Sequence, residues 1–261
     1  MIESSGHNSV PISLCVVIPV LNEEKVLATS ANFVAEYMSL NLNHYDWRVL
    51  IADNGSTDST PEIANALTSQ NDRFDYLRIE QKGRGRALRE AWMSSDADVL
   101  CYTDVDLSSD ITALSKLVTA VTTEGYDIAI GSRLTRGSNV LDRPPHREFI
   151  SRTYNLIIQA MFHIGFNDAQ CGFKAIARKA ANQLLPLVKD PAWFFDSELL
   201  ILAEKNSYKI KELPVTWRDD PDSRVRLIST SYRDLTGLLR LRFGGLRNAS
   251  KILTARSRSP Q

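Results

Sequence analysis

Residues 13–20 read SLCVVIPV, a nearly unbroken apolar, β-branched run. A strand with one wet face alternates polar and apolar residues. A run with no such alternation is covered on both faces, as in a parallel sheet flanked by helices. Pro19 stands near the end of the run, where a missing N–H does little harm. Further strands are expected at 47–52 (WRVLIA), 75–80, 97–103 (ADVLCYT) and 127–131 (DIAIG). Helices are expected between them. The first spans 22–40, with Asn22 as cap and Val26, Leu27, Phe33, Val34 and Tyr37 as its apolar stripe. Others are expected at 61–69, with Pro61 in the first turn, at 85–94 and at 110–122. Strands alternating with helices give βαβ units, hence an α/β fold with a mainly parallel central sheet flanked by helices.

Beyond residue 131 the pattern changes. A Pro- and Arg-containing loop at 141–148 precedes an expected helix at 149–166, a turn at 167–172 and a strand at 173–176. Helices at 178–188 and 194–206 and an extended segment at 209–217 follow. No linker interrupts this stretch. The reading is a leader at 1–11, expected to be disordered, one domain over 12–223, and a tail at 224–261.

Composition excludes several classes. The 261 residues are 43% hydrophobic and 24% charged, ordinary for a globular chain and too apolar for a disordered one. Thirty-one basic residues balance 31 acidic ones, so bulk charge gives no case for nucleic acid as a partner. The N-terminus lacks the apolar core of a signal peptide, and no run approaches the ~20 residues of a membrane span. Cys15, Cys101 and Cys171 are far apart with no metal spacing, which suggests a reducing, cytoplasmic compartment. The charge is unevenly placed: nine Lys/Arg face one acid, Asp234, from Arg224 to Gln261. That tail interleaves Leu235, Leu238, Leu239, Leu241, Phe243 and Leu246 with Arg233, Arg240, Arg242 and Arg247. Two readings stand beside each other: a basic amphipathic helix at a membrane interface, or a helix packed on the domain with its arginines outside. With the chain ending at Gln261, membrane contact is expected to be peripheral, at the cytoplasmic face, or through a membrane-protein partner.

In an open parallel sheet, ligands bind beyond the carboxyl ends of the strands. Three acidic motifs fall at such ends: Pro19-Val-Leu21-Asn22-Glu23, then DNGSTDST from Asp53, then Asp104-Val105-Asp106. Asp53 and Asp58 taken singly also read as ordinary caps. Asp104 and Asp106 repel each other unless a cation or donor lies between them. Hard divalent cations prefer such oxygens, and Mg²⁺ commonly takes one or two carboxylates plus substrate phosphates.

As an ordered set, these motifs with Lys82-Gly-Arg84-Gly-Arg86, Gly131-Ser132-Arg133 and Asp168-Ala-Gln170-Cys171-Gly172-Phe173-Lys174 resemble inverting glycosyltransferases of family 2. The DxQCGFK run, Phe195-Asp196-Ser-Glu198, Val215–Trp217 and Ser223-Arg224 make the chain similar to dolichol-phosphate mannose synthases and dolichyl-phosphate glucosyltransferases. The resemblance spans about 13–240. It implies a GT-A fold and transfer of a hexose from a nucleotide sugar to a polyprenyl phosphate, with inversion. UDP-glucose is the favoured donor and GDP-mannose the alternative.

The resemblance also implies site roles. Pro19, Leu21, Glu23, Ile51, Asp53, Lys82, Asp104, Val105, Asp106 and Arg224 would hold the donor. Asp104, Asp106 and Ser108 would hold Mg²⁺ or Mn²⁺, with Ser108 a poorer ligand than the residue some members carry. Arg133, Arg147 and Ser151 would hold the acceptor phosphate. Asp104, Asp106, Asp168 and Arg133 are the catalytic candidates, Asp168 either near the sugar or orienting Lys174 or Arg133. Arg84 and Arg86 read as a solvated loop or as a donor-phosphate contact. Cys171 reads as a small buried residue, and two of Trp193, Phe194 and Phe195 as core. Two other functions stay open: a same-fold transferase for a soluble or polysaccharide acceptor, and a non-catalytic nucleotide-sugar-binding module.

Overall fold

The computed structural model describes residues 10–219 and 227–258; most of the expected leader, and Arg224, lie outside them. The first strands follow the apolar runs: β1 Ser13–Val20, β2 Asp46–Asp53, β3 Phe74–Arg78, β4 Val99–Thr103 and β5 Ile128–Ser132. Later come β6 Asn139–Leu141, β7 Phe173–Ala177, β8 Ile210–Pro214 and β9 Thr216–Arg218. The helices are α1 Leu27–Asn41, α2 Thr60–Gln70, α3 Arg84–Ser94, α4 Leu114–Thr122, α5 Pro145–Phe162, α6 Arg178–Leu184, α7 Phe195–Lys205, α8 Leu227–Arg240 and α9 Leu246–Arg258.

Seven strands form the main sheet in the order β3-β2-β1-β4-β7-β5-β8. All pairings are parallel except those of β7, which runs antiparallel between β4 and β5. Each central strand supplies both faces. Leu14, Val16 and Ile18 join one buried cluster, while Cys15 and Val17 join the other. Ile51 and Leu50, and Cys101 and Tyr102, divide in the same way. This two-sided burial is the physical reason the runs show no alternation.

Two local expectations are corrected. Asn22 does not cap α1: the helix begins at Leu27, and Asn22 sits at φ +57° with its side chain turned to the next loop. The helix expected at 149–166 begins four residues earlier, at Pro145, and stops at His163 in the left-handed region. Proline suits the first turn of a helix, where its missing N–H has no intrahelical partner. The shift places Arg147 and Ser151 one turn apart on α5.

The tail packs on the domain. Leu238, Leu241, Ala249 and Leu253 are buried, and Arg240 makes a two-bond pair with buried Glu198 of α7 (2.8 and 2.9 Å). Between Leu241 and Gly245 the helix kinks, with Phe243 and Gly244 leaving helical geometry. Phe194 and Phe195 are core and Trp193 is exposed, so two of those three aromatics are interior as expected.

Close packing of α8 depends on Gly237. A Cβ there would lie 2.3 Å from the Phe194 ring. Gly237→Ala gains up to about 1 kcal/mol of helix propensity, yet overpacking costs about 1–3 kcal/mol. The expected net is a lower urea midpoint; a higher one would show that the Phe194 ring yields freely.

Candidate active site

The loops after β1 and β2 are tied together by their own polar groups. Asn22 N–H donates to Ser56 Oγ (2.9 Å), Glu23 N–H to Thr60 Oγ1 (2.8 Å), and Thr57 N–H to Asn22 Oδ1 (2.7 Å). At the end of β2, Asp53 is fully buried. It accepts from Ser56 N–H (2.8 Å), Tyr76 OH (2.9 Å) and Arg78 Nη1 (3.0 Å). Its neighbour Ile51 lies in the core. Asp58 behaves as a turn residue, accepting from Thr60 N–H (3.0 Å).

Beyond β4, the antiparallel course of β7 brings the 168–174 segment against the acidic pair. Thr103 is opposite Phe173, and Asp104 N–H donates to the Gly172 carbonyl (3.3 Å). The Asp104 carboxylate lies where a Cβ on Gly172 would stand, 1.7 Å from Oδ2, so only glycine fits. Arg84 Nη2 donates to Asp104 Oδ1 (2.6 Å), and its Nη1 donates to Asp196 Oδ2 (2.9 Å). Asp106 Oδ1 accepts from Ser108 N–H (2.9 Å), and Val105 is buried.

Below this layer is a buried ionic network. Lys174 Nζ pairs with Asp196 (2.9 Å) and donates to Tyr102 OH (3.1 Å) and the Cys171 carbonyl (2.5 Å). Burial works against both charges. Lys174 and Arg84 nevertheless hold the Asp196 carboxyl below its usual range, and Asp104, Tyr102 and Asp196 hold Arg84 charged. Such a network costs desolvation and repays it only in good geometry, so it serves position more than stability. Burial pushes the Cys171 thiol up to about 11, consistent with an inert small residue.

A second group follows β5. Arg133 donates to Asp168 through Nε (2.7 Å), Nη2 (2.8 Å) and its backbone N–H (3.0 Å). Burial alone would raise the Asp168 carboxyl, but Arg133 outweighs it and holds it at about 2. Asp168 pairs directly with Arg133, while Lys174 binds Asp196. Asp104 also contributes to the field that keeps Arg133 charged, so these two residues share one electrostatic neighbourhood. Strand β9 closes the side: Trp217 bridges to Ser109, and Arg218 N–H donates to the Ser108 carbonyl (2.8 Å). Arg133 and Arg143 both lie on the Trp217 ring, 5.3 and 5.4 Å from its centroid. Arg147 Nη1 donates to both oxygens of Asp219 (3.1 Å each). Ser151 is buried, and its hydroxyl has no hydrogen-bond partner.

Sequence reasoning left Arg84 undecided and chose Lys82. Lys82 is exposed, whereas Arg84 is largely buried between Asp104 and Asp196. The sequence motif contained Arg84 but not the direction of its side chain. Asp196 and Trp217 were noted only as motif members, and Asp219 was missed. Among the described residues no group of three or more His, Cys, Asp or Glu is placed to hold a metal.

Acids at the ends of β2 and β4 lie along the carboxyl edge of an open sheet, where ligands bind in α/β folds, and the architecture is the GT-A fold. The chain belongs to glycosyl transferase family 2, whose model matches residues 15–185. It is 35% identical over 228 residues to glycosyltransferase AglD of Haloferax volcanii, covering 87% of this chain but 36% of that protein. It is 27% identical to a dolichyl-phosphate beta-glucosyltransferase of Saccharomyces cerevisiae, over 90% of this chain and 75% of the relative. It spans 65% of the similar enzyme ALG5C of Trichomonas vaginalis. In structure it resembles glucosyl-3-phosphoglycerate synthase of Mycobacterium tuberculosis, solved with Mn²⁺, UDP and phosphoglyceric acid. The TM-score is 0.69 at 19% identity, covering 89% of this chain and 79% of the other.

One titratable group next to the site gives a pH test. Asp234 of α8 accepts from Gln170 Nε2 (2.9 Å), while its Oδ1 is buried without a partner. Burial, then Asp190 and Asp196, push its carboxyl up to about 7. A raised acid favours the neutral form in the folded chain. The cost of ionising it starts near the ordinary carboxylate range, about 3.9, and grows as pH rises toward 7. Asp234→Asn is therefore expected to raise the Tm relative to wild type, by more at pH 8 than at pH 5. A gap independent of pH would contradict this.

Proposed function

We propose that the protein transfers a hexose from a nucleotide-diphosphate sugar, UDP-glucose in preference to GDP-mannose, to a polyprenyl phosphate with inversion. The observation that carries this reading is the meeting, at Gly172, of Asp104 with the segment whose Asp168 pairs with Arg133. A donor site and an anion site thus share one edge of the sheet. The dolichyl-phosphate glucosyltransferases among the relatives support the acceptor class and the sugar.

The donor would lie on Pro19, Leu21, Glu23, Asp53 and the main chain at Ile51, with its diphosphate toward Asp104, Val105, Asp106 and Arg84. Lys82 would reach it only from the rim; Arg224, outside the described residues, is proposed as a further donor contact. Asp104 and Asp106 offer two carboxylates with Ser108 beside them. That donor set suits Mg²⁺ or Mn²⁺ completed by diphosphate and water oxygens. When bound, the cation supplies charge stabilisation to the departing diphosphate. The acceptor phosphate is already anionic near neutral pH and needs no general base. One of its oxygens attacks the anomeric carbon, the bond from that carbon to the β-phosphate oxygen breaks, and the nucleoside diphosphate leaves with the electron pair. Arg133 and Arg147 orient the attacking phosphate, with Ser151 contributing its unpartnered hydroxyl. Asp168 acts through Arg133, holding its fork in place.

Peripheral contact with a membrane fits the surface. Phe149 and Leu156 on α5 and Tyr232 and Phe243 in the tail are exposed. Among the described residues no helix is long and apolar enough to cross a bilayer. Arg233, Arg242 and Arg247 are exposed and suit an anionic surface.

The test is transfer of radiolabelled sugar from each donor to polyprenyl phosphate with Mg²⁺ or Mn²⁺. The expected product is organic-extractable and labile to mild acid, and Asp106→Asn should lower its rate on the order of 100-fold. Glycosylation of a water-soluble acceptor alone would favour the soluble-acceptor reading. Donor binding without turnover on any acceptor would favour a non-catalytic module.

A further inference from the structure

Arg143 stands in the loop before α5 and has no part in the roles given above. Its side chain is 8% exposed, and its Nε is buried with no hydrogen-bond partner. A buried donor left unpaired is costly, the more so on a charged group. Its Nη1 pairs with Glu148 (2.8 Å), but the other oxygen of Glu148 accepts from Arg152 Nε (2.7 Å). Arg133, by contrast, forms a two-bond fork on Asp168, and Arg147 reaches both oxygens of Asp219. Arg143 is thus the least neutralised of these three guanidiniums. It also shares the Trp217 ring with Arg133, so two cations stand on one aromatic platform. Burial and then the Arg133 charge both lower its pKa.

We infer that Arg143 is a binding residue for a phosphate monoester dianion, which it receives together with Arg133 over Trp217. The orphaned Nε–H and partly neutralised charge of Arg143, beside the Arg133 guanidinium, call for an acceptor of high charge with several oxygens. Pro144 and Pro145, which open α5, stiffen the loop that presents it. The identity of the esterified group rests on the proposed function. The headgroup chemistry alone is shared by a lipid phosphate and a soluble phosphate.

Binding and turnover separate the two ideas. Inorganic phosphate and a short-chain prenyl phosphate are each titrated calorimetrically into the full chain, wild type, Arg143→Ala and Arg143→Lys. Acceptor KM and donor KM are measured on the same proteins. For Arg143→Ala, the phosphate Kd and acceptor KM should rise on the order of tenfold, with donor KM within about twofold. Lysine should restore only part, because it lacks the planar fork. The lysine variant carries the same test if the alanine variant fails to fold. Tighter binding of the prenyl phosphate identifies a lipid headgroup as the source; equal binding of both identifies the phosphate alone. Unchanged Kd and acceptor KM in both variants overturn the inference. So do parallel rises in both KM values with a lowered Tm, which mark a structural residue. Loss of phosphate binding in Arg143→Ala without any sugar transfer by wild type would leave this inference standing and end the transferase reading.

Discussion

The Asp104 carboxylate is fixed from two sides, and the rest of the site is arranged around it. One oxygen takes the Arg84 guanidinium, and the other occupies the space a side chain at Gly172 would need. Arg84 in turn rests on Asp196, which is held by Lys174 and Tyr102. A single chain of contacts therefore runs from the acidic loop into the antiparallel strand and on to α7. Preorganised charges of this kind act in a site without having to reorient when charge develops.

The basic residues of the acceptor side are mostly supplied with their own carboxylates. Asp168 meets Arg133, Asp219 meets Arg147, and Arg152 competes with Arg143 for Glu148. Pairing keeps buried guanidiniums tolerable in the absence of ligand. It also means that an incoming anion gains little from bulk attraction and much from the placement of each fork. Where pairing is incomplete, at Arg143, the surplus charge marks the direction from which an anion is best received.

Much of the fold could be read from the runs at 13–20, 47–52 and 97–103, because burial on both faces leaves a plain mark in composition. The acidic pair was legible for a similar reason: its position after an apolar strand fixes which edge of the sheet it occupies. The start of α5 was not legible, since Pro144-Pro145 reads as a loop until the second proline is seen at a first helical turn. Asn22 misled because a side chain suited to capping is equally suited to bridging two loops. Arg84 was ambiguous because local pattern gives a residue's place on a helix but not the partner 112 positions away that it meets. The tail was read in two ways. Packing of Leu238 and Leu253 against the domain, with arginines left at the surface, follows one of them and leaves the exposed aromatics compatible with the other.

The inserted antiparallel strand has a consequence for biosynthesis. β5 pairs only with β7 and β8, both of which follow it in the chain. While a ribosome is still extending the nascent polypeptide, β1 to β4 can assemble among themselves, but β5 must wait more than forty residues for its first neighbour. Pairing across so many residues is non-local and therefore slow to form. The half-made intermediate exposes an apolar strand with open edges, the kind of species that chaperones shield.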